Sequence, residues 1–287
     1  MIIGLMDDPL NFHQNFAHYA CKIKVINNMR LLLYNVRYCS GHGGQFHLPW
    51  SGYLHRTARQ LDQISTFIKT MAPDIVGLLE VDAGSYRSRR HNQAALIAEA
   101  LGHYHVYHSK YPERSLARRL PVMGKQVNAF LCRDAVHARR FHFFKKGVKR
   151  LVIELELQNL VIFLVHLSLG YRTRHDQLND LYTLVQTTRK PCIVAGDFNS
   201  FWGDREIKLF LAATGLVSAC AQPRPSFPSW KPRRQLDFIL HSSAIRITDF
   251  FMPQVTFSDH LPLVCDFEIQ RPEADQKGST AGKLKRK

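Results

Sequence analysis

The sequence predicts an α/β fold, a four-layer α/β/β/α sandwich in which two mixed, mostly antiparallel sheets pack face to face with helices outside. Three observations predict it. Short apolar runs alternate with segments of helical periodicity, two of the runs form a hairpin, and polar residues follow the ends of the runs. Of the 287 residues, 45% are hydrophobic, so the chain can bury a sizeable core, which excludes a disordered or fibrous protein.

Four helices are predicted from apolar spacing. The first ends before Pro73, and its apolar positions are Leu54, Ala58, Leu61, Ile64, Ile68 and Met71. The other three cover about residues 92–101, the segment that holds Leu178, Leu181 and Val185, and about residues 205–213. Glycines that follow the second and fourth helices, Gly102 and Gly215, are typical of helix ends.

Nine strands are predicted from short apolar runs. In residues 151–157, leucine and isoleucine alternate with Glu154 and Glu156, and a turn at Gln158 and Asn159 leads into residues 161–166. This pair is expected to be an antiparallel hairpin. The remaining runs are residues 31–34, 75–79, 128–133, 192–195, 236–241, 245–250 and 263–269.

Composition divides the chain into three parts. Residues 1–28 have no clear period and are expected to be an N-terminal extension, either disordered or the product of an upstream start. Residues 29–270 carry the predicted domain. Residues 271–287 are rich in Pro, Gly, Ser and Lys and are expected to form a basic, disordered tail, because they have too little apolar surface to order themselves.

The net charge limits the kinds of partner, and the cysteine pattern limits the cellular compartment. The net charge of +16 predicts a polyanionic partner, and both nucleic acid and an anionic membrane surface qualify. The six cysteines form no C-x-x-C pair and are expected to be reduced and mostly buried, as in the cytoplasm. The longest apolar run, residues 160–169, is too short for a transmembrane helix, and the N-terminus lacks the pattern of a signal peptide.

Acids, amides and histidines directly follow six of the apolar runs. A single such residue is most simply a turn former. Together they supply hard oxygen ligands and proton carriers without a thiolate, which is the set that Mg²⁺ or Mn²⁺ prefers. The residues are Asn35, Glu80, His166, Asp197, Asn199, Asp237, Asp259 and His260.

Seven segments that contain these positions resemble the endonuclease/exonuclease/phosphatase superfamily of metal-dependent phosphoesterases, which have the DNase I-like fold. They occur in the order found in that family and span nearly the whole predicted domain. The segments are residues 33–37, 75–81, 128–133, 166–168, 196–200, 236–239 and 258–262.

The resemblance implies a role for each position. Glu80, with Asn35 and Asp259, would hold Mg²⁺ or Mn²⁺ against a phosphate oxygen. Asp197 would activate the attacking water, and Asn199 would orient that water or the phosphate. His260, supported by Asp237, and a second histidine, His166, would contact the phosphate, with Asn128 as a further substrate contact.

The sequence departs from the family pattern at three points. Leu79 stands where glutamine often precedes the metal glutamate, and Val127 replaces a glycine that often precedes Asn128. The lysine that closely follows the metal glutamate in exonuclease III-like abasic-site enzymes is absent. A dedicated DNA-repair role is therefore disfavoured.

The substrate is predicted from basic and aromatic residues near these segments. Arg87 is placed to reach the phosphate with a bidentate guanidinium. Trp230 either stacks on a base, anchors its loop or enters a lipid headgroup region, and Arg234 adds charge beside it. Because positive charge is spread widely and no long apolar hairpin is present, the sequence favours hydrolysis of nucleic acid. The alternative is a phospholipid or phosphoinositide phosphoesterase. A non-catalytic polyanion-binding module is a third possibility, which the sequence disfavours because no catalytic group is lost.

Overall fold

A computed structural model describes residues 28–41 and 56–270. Within these residues the chain forms five α-helices and twelve strands. The helices are α1 (Arg56–Met71), α2 (Gln93–Leu101), α3 (Leu116–Arg119), α4 (Tyr171–Thr187) and α5 (Arg205–Thr214). The strands are β1 (Met29–Asn35), β2 (Ile75–Asp82), β3 (Tyr104–Ser109), β4 (Gln126–Cys132), β5 (Ala138–Phe143), β6 (Leu151–Glu156), β7 (Val161–His166), β8 (Cys192–Asp197), β9 (Val217–Ser218), β10 (Asp237–His241), β11 (Ile245–Phe251) and β12 (Leu263–Ile269).

The strands form two six-stranded sheets. The first has the order β11-β12-β1-β2-β4-β3, and the second has the order β5-β6-β7-β8-β10-β9. In each sheet the two central strands are parallel, β1 with β2 and β7 with β8, and every other pair is antiparallel. A helix connects each parallel pair, as a parallel crossover requires. The carboxyl ends of four central strands therefore lie at one end of the molecule.

Three apolar cores hold the layers together. The middle core packs one sheet on the other, and it includes Leu33, Phe130, Ile153 and Leu164. The other two cores pack α1 and α2 on the first sheet and α4 and α5 on the second. The predicted α/β sandwich of two mixed sheets with helices outside is confirmed.

Most predicted elements are confirmed, including the antiparallel β6–β7 hairpin. The Asn92 side chain accepts hydrogen bonds from the first turn of α2, and Gly102 ends that helix in the left-handed region. Strands β3, β5 and β9 were not predicted, because their polar and aromatic side chains lie at or near sheet edges and lack an apolar period. Leu54, the N-terminal extension and the basic tail lie outside the described residues.

The cysteine prediction agrees with the structure. Cys39, Cys132, Cys192 and Cys265 are buried free thiols, and Cys220 is a partly exposed one. Cys21 lies outside the described residues. The prediction of a cytoplasmic location stays a prediction.

Candidate active site

Polar side chains from the two sheets meet at the carboxyl ends of the parallel strand pairs. Asn35 ends β1, Glu80 lies near the end of β2, His166 ends β7 and Asp197 ends β8. Asn35 Nδ2 donates to Asp197 Oδ2 at 3.3 Å, and His166 Nε2 lies 3.8 Å from Glu80 Oε1. Each sheet thus supplies half of one buried polar cluster.

A β-bulge places Glu80. Strand β2 pairs regularly with β4 up to Leu78, and then Leu79 and Glu80 together lie opposite the single residue Asn128. Glu80 has a φ of 54°, in the left-handed region, and its N–H donates to Asn128 Oδ1 at 3.4 Å. Bulges beside functional sites commonly redirect a side chain, and this one leaves the Glu80 carboxylate at the cluster. The contact that the structure gives Asn128 is therefore to the Glu80 backbone, and its predicted contact with substrate stays a prediction.

Asp237 and His260 form a second pair beside Asp197. Asp237 is the first residue of β10 and lies directly opposite Asp197 across the β8–β10 ladder. His260 Nδ1 donates to Asp237 Oδ2 at 2.7 Å, and its Nε2 lies 3.9 Å from Asp197 Oδ2. Burial opposes the charged imidazole, but the carboxylates of Asp237, Asp197 and Asp259 outweigh it and raise the pKa of His260 to about 10. His260 is thus an imidazolium at neutral pH.

The pKa of the Asp197 carboxyl group is raised above that of an ordinary aspartate. Burial raises its pKa to about 7, against the opposing charge of His260 and with a further raising contribution from Asp237. Asn199 holds it in place, since its N–H donates to Asp197 Oδ1 at 2.9 Å. The Asn199 side chain donates to Leu167 O at 2.8 Å, so the turn after β8 is tied to the turn after β7.

His166 is buried and neutral. Burial lowers its pKa well below 6.5, and the charges of Lys149 and Lys110 lower it further. Its Nε2 accepts a hydrogen bond from Lys149 Nζ at 2.7 Å and lies 3.4 Å from Asp197 Oδ2. Its Nδ1 is buried with no hydrogen-bond partner among the described residues.

Two lysines in the cluster were not predicted as site residues. Lys149 Nζ lies 3.2 Å from Glu80 Oε1, and Lys110 Nζ lies 4.0 Å from the same atom. Lys110 is fully buried and donates to the Tyr38 hydroxyl at 3.1 Å, and burial lowers its pKa to about 7. Lys110 directly follows β3, so prediction of that strand would have placed it at the catalytic end of the sheet.

Arg87 lies in a neighbouring pocket. Its guanidinium packs 4.5 Å from the centre of the Tyr38 ring and lies 3.4 Å from Asp82 Oδ2. The same tyrosine ring lies 5.0 Å from Lys110 Nζ. Arg87 therefore adjoins the cluster through Tyr38, and its predicted contact with phosphate stays a prediction.

Trp230 and Arg234 lie at the rim. Arg234 packs its guanidinium 5.3 Å from the centre of the Phe201 ring, and Trp230 is half exposed. Their loop reaches the centre through Phe227, whose ring lies 5.0 Å from that of His260. The structure thus keeps both residues beside the site, outside the buried cluster.

The donor set fits a divalent cation. Glu80 presents a carboxylate that already attracts two lysine side chains. Asn35, at the end of the neighbouring strand β1, adds an amide oxygen that accepts from the Arg37 N–H at 3.2 Å. The predicted third ligand, Asp259, lies 3.4 Å from Arg37 Nε. A second group, Asp197, Asp237 and His260, has ligand atoms within 4.8 Å of one another. Within that group, His260 Nδ1 donates to Asp237 Oδ2 at 2.7 Å.

In the described part of the chain, no helix has the length and apolar character needed to cross a bilayer.

A known family matches most of the sequence. Residues 32–260 match the model of the Endonuclease/Exonuclease/phosphatase family, which includes every residue of the cluster. No curated protein matches the sequence.

Solved structures share the fold at low sequence identity. An endonuclease/exonuclease/phosphatase from Beutenbergia cavernae is 18% identical, with a TM-score of 0.63 over 85% of this chain and 72% of that one. The human Nocturnin catalytic domain, solved with a bound sulfate anion, is 24% identical, with a TM-score of 0.60 over 85% and 95%. The mannosyl-6-phosphatase Bt3783 from Bacteroides thetaiotaomicron is 16% identical, with a TM-score of 0.59 over 83% and 99%.

Proposed function

Since the chain belongs to the Endonuclease/Exonuclease/phosphatase family, we propose that it is a divalent-metal-dependent hydrolase that cleaves phosphodiester bonds by in-line attack of water. One observation carries the proposal. The Asp197 carboxylate lies between two histidines, at 3.4 Å from His166 and 3.9 Å from His260, and next to the half of the cluster that contains Glu80. This arrangement puts a base, an acid and a cation-binding carboxylate around one point.

Asp197 takes the proton from the attacking water. A base works best when its pKa is near the pH at which it operates, and the Asp197 pKa of about 7 meets that condition. Asn199 fixes one carboxylate oxygen, so the other, Oδ2, is directed toward the histidines.

His260 stabilises the negative charge that grows on the phosphate. Its Nδ1–H is committed to Asp237, which leaves Nε2–H to donate to a phosphate oxygen or to protonate the leaving group. The Asp237 carboxylate keeps the imidazole charged and holds its orientation, while the neutral His166 is within reach of the same phosphate.

The Glu80 side binds the cation. Glu80 and Asn35, with Asp259, would hold Mg²⁺ or Mn²⁺, which supplies positive charge to a phosphate oxygen as the transition state forms. Lys110 and Lys149 add positive charge next to Glu80, so this half of the site favours an anionic substrate even before the cation binds.

The test is hydrolysis of bis-p-nitrophenyl phosphate with Mg²⁺, Mn²⁺ or EDTA. We expect hydrolysis that EDTA abolishes and that Asp197→Asn lowers, while Asp180→Asn, a change of the same chemistry on α4, leaves it unchanged. Hydrolysis that resists EDTA, or that survives in Asp197→Asn, would show that the proposed site is not the reacting one.

The substrate is a separate question. The preference for nucleic acid stays a prediction. A specific observation, the exposed apolar side chains around the site, favours the phospholipid alternative.

A further inference from the structure

Large apolar side chains are exposed on the loops that surround the catalytic cluster. Trp202 is 82% exposed, and the other four are each more than half exposed. Four of them lie one each on the four loops at the catalytic end of the second sheet, and the fifth is the first residue of α4. We call them the apolar ridge, and they are Val148, Leu169, Tyr171, Trp202 and Trp230.

Contacts under the ridge make its first part continuous. The Gln177 side chain donates to Lys146 O at 3.0 Å and accepts from the Ser168 N–H at 2.8 Å. It therefore joins the β5–β6 loop to the loop after β7. Val148 and Leu169, on these two loops, are held at the same end of α4.

A buried arginine joins the next part. Arg174 donates to Leu169 O at 2.8 Å and to Asn199 O at 2.9 Å. Its guanidinium also lies against Glu206, so the charge is paired. Arg174 thus ties the backbone at Leu169 to the backbone at Asn199, three residues before Trp202.

The last part is joined by aromatic rings. Arg234 donates to Phe201 O at 2.7 Å, and the Phe201 and Phe227 rings lie 5.7 Å apart. Trp230 is on the same loop as Phe227, and Trp202 directly follows Phe201. The four loops that carry the ridge are thus linked to one another along the edge of the site.

The first sheet contributes a similar feature across the site. Strands β3 and β4 pair with Ser109 opposite Val127, so the connection between them lies at the catalytic end. That connection contains α3, where Leu116 in the helix and Leu120 just after it are exposed next to the exposed Arg114 and Arg119. Apolar and basic side chains therefore border the site on both sides.

Charge accompanies the ridge. Arg172, Lys231 and Arg233 are exposed on the ridge loops, and the whole chain carries a net charge of +16. Each lysine or arginine held near an anionic membrane surface adds favourable binding free energy. Tryptophan and tyrosine favour the interface between headgroups and acyl chains. Exposed leucine and valine side chains offer no stacking face to a base, but they can enter that interface.

We propose that the apolar ridge docks on an anionic phospholipid bilayer, so that the catalytic cluster faces lipid headgroups. The docking itself requires only the exposed ridge and its charge. The further step, that the headgroup phosphodiester is the substrate, rests on the proposed function.

Sedimentation of the full-length protein with vesicles tests the docking. The vesicles are phosphatidylcholine alone or mixed with phosphatidylglycerol, and the double variant Leu169→Ser with Trp202→Ser is compared with a control, Tyr104→Ser with Leu209→Ser. The control residues are also more than half exposed but lie away from the catalytic end. We expect the wild type and the control to bind the mixed vesicles, and the ridge variant to bind at least about tenfold more weakly.

A second measurement uses the native tryptophans. Brominated acyl chains in the mixed vesicles should quench part of the wild-type tryptophan fluorescence, and this needs no variant to fold. Hydrolysis of bis-p-nitrophenyl phosphate should be equal in the wild type and both variants. If the wild type does not hydrolyse this compound, the proposed function is rejected. The docking proposal is then tested by the vesicle measurements alone.

Three outcomes would overturn the docking proposal. The wild type does not bind mixed vesicles, or the ridge and control variants bind them equally. In the third, the ridge variant loses affinity for single-stranded oligonucleotides and keeps its affinity for vesicles, which would make the ridge a surface for nucleic acid.

Discussion

The two sheets have the same order of pairing and different chemistry. Each has one central parallel pair with two antiparallel strands on either side, and each places its polar residues at the carboxyl ends of the parallel pair. The first sheet supplies Asn35 and Glu80, a set suited to a cation. The second supplies His166 and Asp197, next to the Asp237–His260 pair, a set suited to moving a proton.

The difference between the sheets lies in the residues that end the strands. In the second sheet the ladder stays in register, and Asp197 faces Asp237 across it. In the first sheet the ladder breaks into a bulge to place Glu80. One architecture thus supports two functions, because strand ends can change while the cores that hold the strands remain apolar.

The largest expected effect comes from the proton-handling side. Asp197→Asn keeps the size of the side chain but cannot accept a proton, so we expect the turnover number at saturating Mg²⁺ to fall by about 10²-fold to 10⁴-fold. Steady-state hydrolysis of bis-p-nitrophenyl phosphate measures it. A loss that extra Mg²⁺ restores would mean that Asp197 belongs with the cation side, and the division between sheets would fail.

The next largest effect is expected on stability, at a glycine in the second strand of each parallel pair. A Cβ at Gly196 in β8 would lie 2.0 Å from the Val165 backbone oxygen, whereas one at Gly77 in β2 would lie 3.0 Å from a Leu164 side-chain carbon. Backbone cannot move aside as a side chain can. We expect Gly196→Ala to lower the free energy of unfolding by about 3 kcal/mol or more and Gly77→Ala by about 1–2 kcal/mol. Urea unfolding of both variants measures this, and equal losses would contradict it.

The cation side should respond to metal concentration. Glu80→Gln keeps the shape and removes the charge, so we expect the Mg²⁺ concentration for half-maximal activity to rise about 10-fold to 100-fold. A Mg²⁺ titration of activity measures it, with Glu99→Gln on α2 as the control. An unchanged midpoint would move the cation away from Glu80.

The smallest expected effect is on stability. The Asp197 pKa of about 7 is above that of an unfolded aspartate, so the folded state holds this proton more tightly. Its contribution to stability falls as pH rises from about 4 to about 7 and is constant above that range. In EDTA, Asp197→Asn should therefore gain stability over the wild type, by at least about 1 kcal/mol more at about pH 8 than at about pH 5. Urea unfolding at both pH values checks the sign, and a gain confined to low pH would contradict it.

Some of the site could be predicted from the sequence and some could not. Asn35, His166 and Asp197 each directly follow or end an apolar run, so their common position follows from strand direction. Lys110 could not be predicted, because β3 is an edge strand with the sequence Tyr-His-Val-Tyr-His-Ser and has no apolar period. Of the apolar ridge the sequence pointed only to Trp230, since four of the five side chains lie on four separate loops and Tyr171 begins α4.

The bulge adds Glu80 to β2 without disturbing the alternation of its apolar side chains. Leu78 faces the helices, Leu79 faces the other sheet, and Val81 faces the helices again. With Glu80 removed, that alternation would be that of a regular strand. The glutamate is thus an insertion that takes no position from a core residue. Deletion of this single residue should give a folded scaffold without the proposed metal ligand, because the core residues on either side keep their alternation.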